Sequence, residues 1–348
     1  MELLTHVERP SYDFTCSHSD RLLSIGSCFA ERTASMLEQR QFAIQGNPLG
    51  VVYNPVSVRQ TLDFLRTQHR FTPEQTFFHQ HAWHGYHFNR AFSHPDRSQV
   101  LERANRRIRE VDPRQTTRLL ITLGTARAYE HRATGITVAN NHRLPARDFR
   151  PYRIDLAAER AHWKTALDAY RAQTNHPESF RVLLTVSPVR HRQEGYVANQ
   201  RSKAVLHLLC ESLCAELPYV HYFPAYEIVM DELRDYRFYG PDLLHPGENA
   251  TAYIHEIFAA TFFDPTTRSI TDQIDALQRA ARHRPHHKFG VAHRDFLRAQ
   301  LQKLDTLRVR FPGVQWRGLA DHFRRELQLV QDHLDGEQPG GLSVGIEE

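Results

Sequence analysis

Four short apolar runs, each followed by a helical stretch, constrain this chain more than any other feature. Residues 22–25, 117–123, 181–186 and 219–223 read as strands. Each stops at a breaker: Gly26, Gly124, Ser187-Pro188 and Pro224. Helical stretches separate them, over 30–40, 56–68, 98–111, 155–174 and 199–216. Pro55 opens the second of these, Ser98 caps the third and Asn199 caps the last. Strands that alternate with helices make a parallel sheet with helices on its faces. Residues 119–123 are apolar almost throughout, as suits a strand buried on both sides. In such sheets functional groups gather beyond the carboxyl ends of the strands.

Composition narrows the class. The chain has 348 residues, 41% of them hydrophobic and 24% charged, as expected of a soluble globular protein. The net charge of +4 is spread along the chain and argues only weakly for nucleic acid or acidic substrates, so no nucleic-acid partner is expected. No apolar stretch is long enough to span a membrane. The N-terminus lacks a basic region followed by an apolar core, so no export signal is expected. Cys16, Cys28, Cys210 and Cys214 form no CxxC pair. A reducing, cytoplasmic setting is therefore expected, with no disulfide framework.

Two regions interrupt the alternation. Residues 71–95 concentrate aromatics and histidines, including Phe77, Phe78, His79, His84, Tyr86 and His87. Imidazoles suit zinc, but no cysteine or acid stands at ligand spacing, so the expectation is aromatic packing over the sheet and no metal. Residues 131–155 read as an insertion with a hairpin near Gly135. After residue 264 the pattern changes to amphipathic helices over 271–282, 294–310 and 318–334, and the acidic, Pro-Gly-Gly tail 335–348 is expected to be disordered. The expected organisation is an α/β domain over 1–264, a helical extension over 265–334 and the tail.

The chemistry concentrates at Gly26-Ser27-Cys28. A strand that ends in Gly and turns into a helix lifts the next side chain off the sheet edge. The helix start behind it offers free N–H groups and partial positive charge. That geometry suits a nucleophile, Ser27 or Cys28, and an oxyanion. Much later, Asp242 stands three residues before His245, where a carboxylate can fix the imidazole tautomer and stabilise its protonated form. Arg190 and His191 leave a strand end, and Arg190 is placed to clamp a phosphate or carboxylate, with Lys203 adding to it.

Five blocks, taken together, resemble the GSCFA-domain family: Gly26–Ala30, Asn47–Pro55, Thr122–Ala126, Ser187–His191 and Asp242–Pro246. The resemblance covers about residues 20–263. It implies a flavodoxin-like, three-layer fold of the SGNH (GDSL-type) hydrolase kind, a group of esterases and acyltransferases. In the SGNH register Cys28 occupies the nucleophile position and Ser27 the preceding one. The same pattern takes oxyanion donors from the nucleophile's own N–H, from a glycine in the second block, here Gly50, and from an asparagine in the third. That last position holds Ala126. Either Asn47, Asn54 or Thr125 stands in for it, or the oxyanion hole is weaker. Asn47 and Asn54 join Arg190 and His191 as expected substrate-binding residues.

The expectation is an esterase or acyltransferase acting on an acyl ester or thioester, an O-acylated saccharide among the candidates, in the manner of bacterial polysaccharide modification. Cys28 or Ser27 attacks, His245 serves as base and then acid, and Asp242 orients it. No cofactor is required, although a coenzyme A thioester can serve as acyl donor. The rival is a binding or scaffold protein on the same fold, with a basic helical C-terminal region that docks a partner. The missing asparagine favours the rival. The sequence sets no oligomeric state.

Overall fold

The structure is a computed structural model that describes residues 5–316 and 318–336. Its centre is a five-stranded sheet of β1 (Arg21–Gly26), β2 (Ala43–Gly46), β5 (Arg118–Leu123), β8 (Arg181–Val186) and β9 (Val220–Tyr222). All neighbours pair in parallel, in the order β2-β1-β5-β8-β9. Counting only these five strands, the order is 2-1-3-4-5, the flavodoxin-like winding, which reverses direction between β1 and β5. In such windings ligands bind beyond the carboxyl ends of the strands at the reversal, and Gly26 is the last residue of β1 there.

Alternation along the strands builds three layers. Leu23, Ile25, Leu119, Ile121, Val182 and Leu184 face one apolar cluster. It is completed by α2 (Pro55–Arg66), α3 (Arg97–Arg109), α4 (Leu156–Gln173) and α5 (Tyr196–Glu216). Leu22, Leu120 and Leu183 face the other cluster, with α1 (Cys28–Gln39), the short turn α6 (Ala225–Glu227) and α7 (Glu248–Phe262). Each layer is sealed by a period-two pattern in the strands and a period-3.6 pattern in the helices.

Several expected boundaries move, for local reasons. Helix α1 starts at Cys28 rather than residue 30, because Ser27 caps it. Asp96, not Ser98, caps α3. Helix α5 starts at Tyr196 after Gly195, so Asn199 lies inside its first turn and is no cap. Strand β2 was not expected. It is a short edge strand of half-buried residues with no apolar run to mark it. The His-aromatic stretch forms a hairpin, β3 (Thr76–His79) with β4 (Ala82–Gly85). The insertion pairs β6 (Arg127–His131) with β7 (Phe149–Arg153), so its strands reach further than a tight turn at Gly135. The two hairpins are joined where the Ala139 N–H donates to Tyr86 O and His142 Nε2–H to Gly85 O, both at 2.8 Å.

Helices α8 (Pro265–Ala281), α9 (Val291–Arg310) and α10 (Leu319–Gly336) enclose their own apolar cluster around Ile274, Leu304, Phe323 and Val330. Arg40 at the end of α1 pairs with Asp275 of α8 at 3.2 Å, which ties this extension to the sheet domain. Residues 337–348, most of the expected disordered tail, lie outside the described residues. No helix among the described residues is long and apolar enough to cross a membrane.

Candidate functional site

The turn from β1 into α1 is fixed by its glycine. Gly26 has φ +145°, and a Cβ there would sit 2.1 Å from Thr122 O. The close approach of β5 to this turn therefore requires glycine. Gly26 N–H donates to Asn47 Oδ1 at 2.8 Å, and Ser27 N–H to Thr122 O at 3.1 Å. Ser27 is buried, and its Oγ accepts from Phe29 N–H at 3.3 Å. Its hydroxyl is thus the α1 cap. Cys28, the first residue of α1, is half-buried and free.

The sheet register aligns the strand ends. Gly26 is level with Thr122, and Thr122 with Thr185. Beyond them the chain leaves the sheet, β1 into α1 at Cys28, β5 at Gly124 and β8 at Ser187. Burial pushes the Cys28 thiol up from its ordinary value, while Arg32 and the N–H groups of Cys28 and Phe29 act the other way. Those amides belong to a helix N-terminus, which favours a thiolate.

Asp242 and His245 lie on a self-closed loop. Gly240 N–H donates to His245 O and Gly247 N–H to Phe238 O. Asp242 Oδ1 accepts the N–H groups of Leu244 and His245 at 3.0 Å, and its Oδ2 lies 2.6 Å from His245 Nδ1. A carboxylate only accepts, so Nδ1 carries a proton, and in the neutral ring Nε2 is the nitrogen with the lone pair. These bonds hold Asp242 well below the usual carboxylate range. The expected Asp-His pair is therefore formed, with the His245 side chain 40% exposed.

Two bonds bring that loop to the other blocks. Arg32 of α1, one turn beyond Cys28, donates to Pro246 O at 2.8 Å and to Thr251 Oγ1 at 3.1 Å. Arg190 N–H donates to Leu244 O at 3.3 Å. His245 and His191 are close enough for their charges to interact. Neither Cys28 nor Ser27 is hydrogen-bonded to His245. Catalytic contacts of this kind commonly tighten only when substrate is bound.

The other expected site residues divide. Gly50 N–H is spent on Asn47 O at 2.8 Å, so it is no free oxyanion donor. Thr125 N–H donates to Tyr53 O, and its Oγ1 accepts from Arg127 N–H. Both residues hold loops in shape instead. Asn54 caps α2 and meets Ser57 with both ends of its amide. Asn47, in a left-handed turn at φ 41°, braces Gly26. Both are buried; Asn54 spends both ends of its amide on Ser57, whereas Asn47 Nδ2 is buried without a partner. His191 donates from Nε2 to Gly124 O, and burial beside Lys203 brings it down to about 4, so it is neutral at ordinary pH. Arg190 lies over the Tyr196 ring at 5.2 Å, and no side chain accepts from its buried Nε.

With this geometry in view, the comparisons decide the family. The GSCFA family model matches residues 21–258, and the model of the GSCFA domain protein, C-terminal domain, matches residues 274–329. This chain belongs to the GSCFA family. No curated protein and no solved structure matches it. The GSCFA signature thus supplies a glycine for the close turn, a serine for the cap and a cysteine for the first helical position.

Sequence reasoning gave too little weight to two residues of this site. Tyr53, 41% exposed, stands edge-on to His191 and within electrostatic reach of Cys28. Lys203 is buried, and its Nζ donates to Gly124 O at 2.7 Å and Ser187 O at 2.6 Å. Its signal was readable: it is one of four lysines, and it lies on the buried stripe Asn199, Ser202, Leu206, Cys210 and Leu213 of α5.

Proposed function

We propose that this GSCFA protein is an SGNH-like esterase or acyltransferase whose nucleophile is Cys28. The observation that carries the reading is the 2.6 Å Asp242–His245 pair on a loop that Arg32 ties to the helix starting at Cys28. Cys28 Sγ attacks an acyl carbonyl as its proton passes to His245 Nε2. The leaving alcohol or thiol takes that proton back, and an acyl-cysteine remains. Water or an acceptor hydroxyl then releases the acyl group, with His245 again as base and then acid. Ser27 is the weaker candidate, since moving its hydroxyl to attack gives up the α1 cap. With Gly50 and Thr125 occupied, and the Phe29 N–H given to Ser27 Oγ, the oxyanion falls to the Cys28 N–H, with Tyr53 within electrostatic reach of Cys28.

An acyl thioester such as that of coenzyme A suits a cysteine nucleophile, because exchange between thioesters is nearly isoenergetic. O-acyl saccharides are the competing substrate class. Work in the cytoplasm keeps the four free cysteines reduced. The test is incubation with p-nitrophenyl acetate and with acetyl-coenzyme A, followed by intact-mass analysis. The expected result is one acetyl adduct that disappears in Cys28→Ala. Folded protein that forms none with either reagent removes Cys28 as nucleophile. The second reading, a non-catalytic binding protein, is favoured by the occupied Gly50 and Thr125 N–H groups. Binding of a saccharide or acyl donor without any adduct would support it.

A further inference from the structure

Arg190 is a cation without an anion. No group among the described residues accepts from its guanidinium, and its Nε–H is buried with no partner. Arginine does not shed its proton in a protein, so the charge stays. The acids on the neighbouring elements are engaged elsewhere. Glu194, the one acid between Ser187 and Gly195, is held by Arg127 at 2.5 Å. Asp242 pairs with His245 at 2.6 Å, Asp231 with Arg234 at 3.0 Å, and Glu227 accepts from the Tyr222 hydroxyl at 2.9 Å. Lys203, bonded to Ser187 O of the same loop at 2.6 Å, brings a second amine rather than an acid. Two contacts place the unpaired guanidinium at the candidate site. Arg190 N–H donates to Leu244 O at 3.3 Å, which sets its backbone against the residue before His245. The guanidinium lies 5.2 Å from the ring centre of Tyr196, the first residue of α5. A cation over a ring face is held without spending its N–H donors. Gly195 has no side chain to cap that helix start, whose free N–H groups carry the same sign of charge. The terminal nitrogens of Arg190, unlike Nε, are not enclosed. A planar fork of donors that matches two oxygens of a carboxylate or phosphate is therefore open beside the His245 loop.

We infer that Arg190 anchors an anionic group, a carboxylate or a phosphate, on the molecule that the site of Cys28 and His245 takes. That the anion belongs to an acyl donor or acceptor rests on the reading of that site given above; the anion site itself does not. Both substrate classes offer such a group. A coenzyme A thioester carries phosphates, and an acidic saccharide carries a carboxylate. Arg190 makes and breaks no covalent bond. It holds one end of the molecule by charge and by paired hydrogen bonds, and so selects charged substrates over neutral ones of the same shape.

The readout is calorimetric titration of the full chain with pyrophosphate and, separately, with succinate. Wild type is expected to bind at least one of them with a Kd of about 1 mM or tighter. Binding of pyrophosphate points to a phosphate on the substrate, and binding of succinate to a carboxylate. Arg190→Gln is expected to weaken that binding about tenfold or more. Arg190→Lys keeps the charge without the fork and is expected to fall between the two. The guanidinium has no hydrogen-bond acceptor in the protein to lose, so both variants are expected to melt with wild type. Absence of binding to wild type by either probe at about 10 mM, or equal binding by wild type and Arg190→Gln, overturns the inference. Where Arg190→Gln does not fold, Arg190→Lys decides, and wild-type affinity in that variant overturns the forked anchor. Titration needs no turnover, which separates the two claims. Binding that depends on Arg190 in a protein that never forms an acyl adduct removes the hydrolase reading alone. An adduct on Cys28 without such binding removes this inference alone.

Discussion

The two halves of the site are built differently. Around Cys28 the backbone is locked: Gly26, Asn47, Asn54, Gly124 and Ser187 are joined by bonds among β1, β5, β8 and the loops between them. Their polar side chains are buried. Around His245 the loop is closed mostly on itself, its Asp-His pair is exposed, and Arg32 and Arg190 supply its tethers to the other blocks. One half is part of the folding core. The other is a surface element tied to the first. The lesson is that damage to the first should appear as lost stability, and damage to the second as lost rate.

The largest effect expected is from Gly26→Ala. A methyl group 2.1 Å from Thr122 O at φ +145° forces β1 away from β5. The cost is about 3 kcal/mol or more, read as a lowered denaturant midpoint or failure to accumulate folded protein. A stable Gly26→Ala variant would break the claim that this turn belongs to the core. His245→Asn should do the reverse. Acylation of Cys28 is expected to slow about a hundredfold or more, while the unfolding free energy stays within about 0.5 kcal/mol of wild type. A large loss of stability would show that the loop is not the independent element described.

Acid should expose the difference without mutation. Burial brings His87, His142, His191, His207 and His255 down to about 4 in the folded chain. Unfolded histidine titrates near 6.5. Between these values the unfolded chain binds protons that the folded chain refuses, so stability falls as pH drops from about 6.5 toward 4. Thermal melts across that window should show a steady fall in Tm. A flat profile would contradict neutral burial of these rings. The smallest effect expected is from Asn54→Ala, which removes the α2 cap and costs about 1 kcal/mol by denaturant titration.

Much of the sheet domain was legible because strand burial writes itself as apolar runs. The runs 22–25, 117–123, 181–186 and 219–223 locate four of the five strands to within one residue at each end. Strand β2 was invisible, since an edge strand of half-buried residues needs no such run. Asp242 and His245 were legible as a pair because their contact is local, three residues apart. The oxyanion residues were not. Whether the N–H of Gly50 or Thr125 is free depends on Asn47 O and Tyr53 O, partners that the spacing of residues does not reveal. Lys203 was underweighted for the opposite reason. Charge suggested a clamp beside Arg190, whereas its place on the apolar stripe of α5 put it inside.

The central claim is that a buried turn bearing Cys28 and an exposed loop bearing His245 act as one site. It is tested most directly by single-turnover acetylation of Cys28, followed by intact mass in wild type and His245→Asn over pH 5 to 10. The account predicts an adduct on Cys28 in wild type and formation about a hundredfold or more slower in the variant at neutral pH. Equal rates in the two proteins, or no adduct on either while both remain folded, would contradict it.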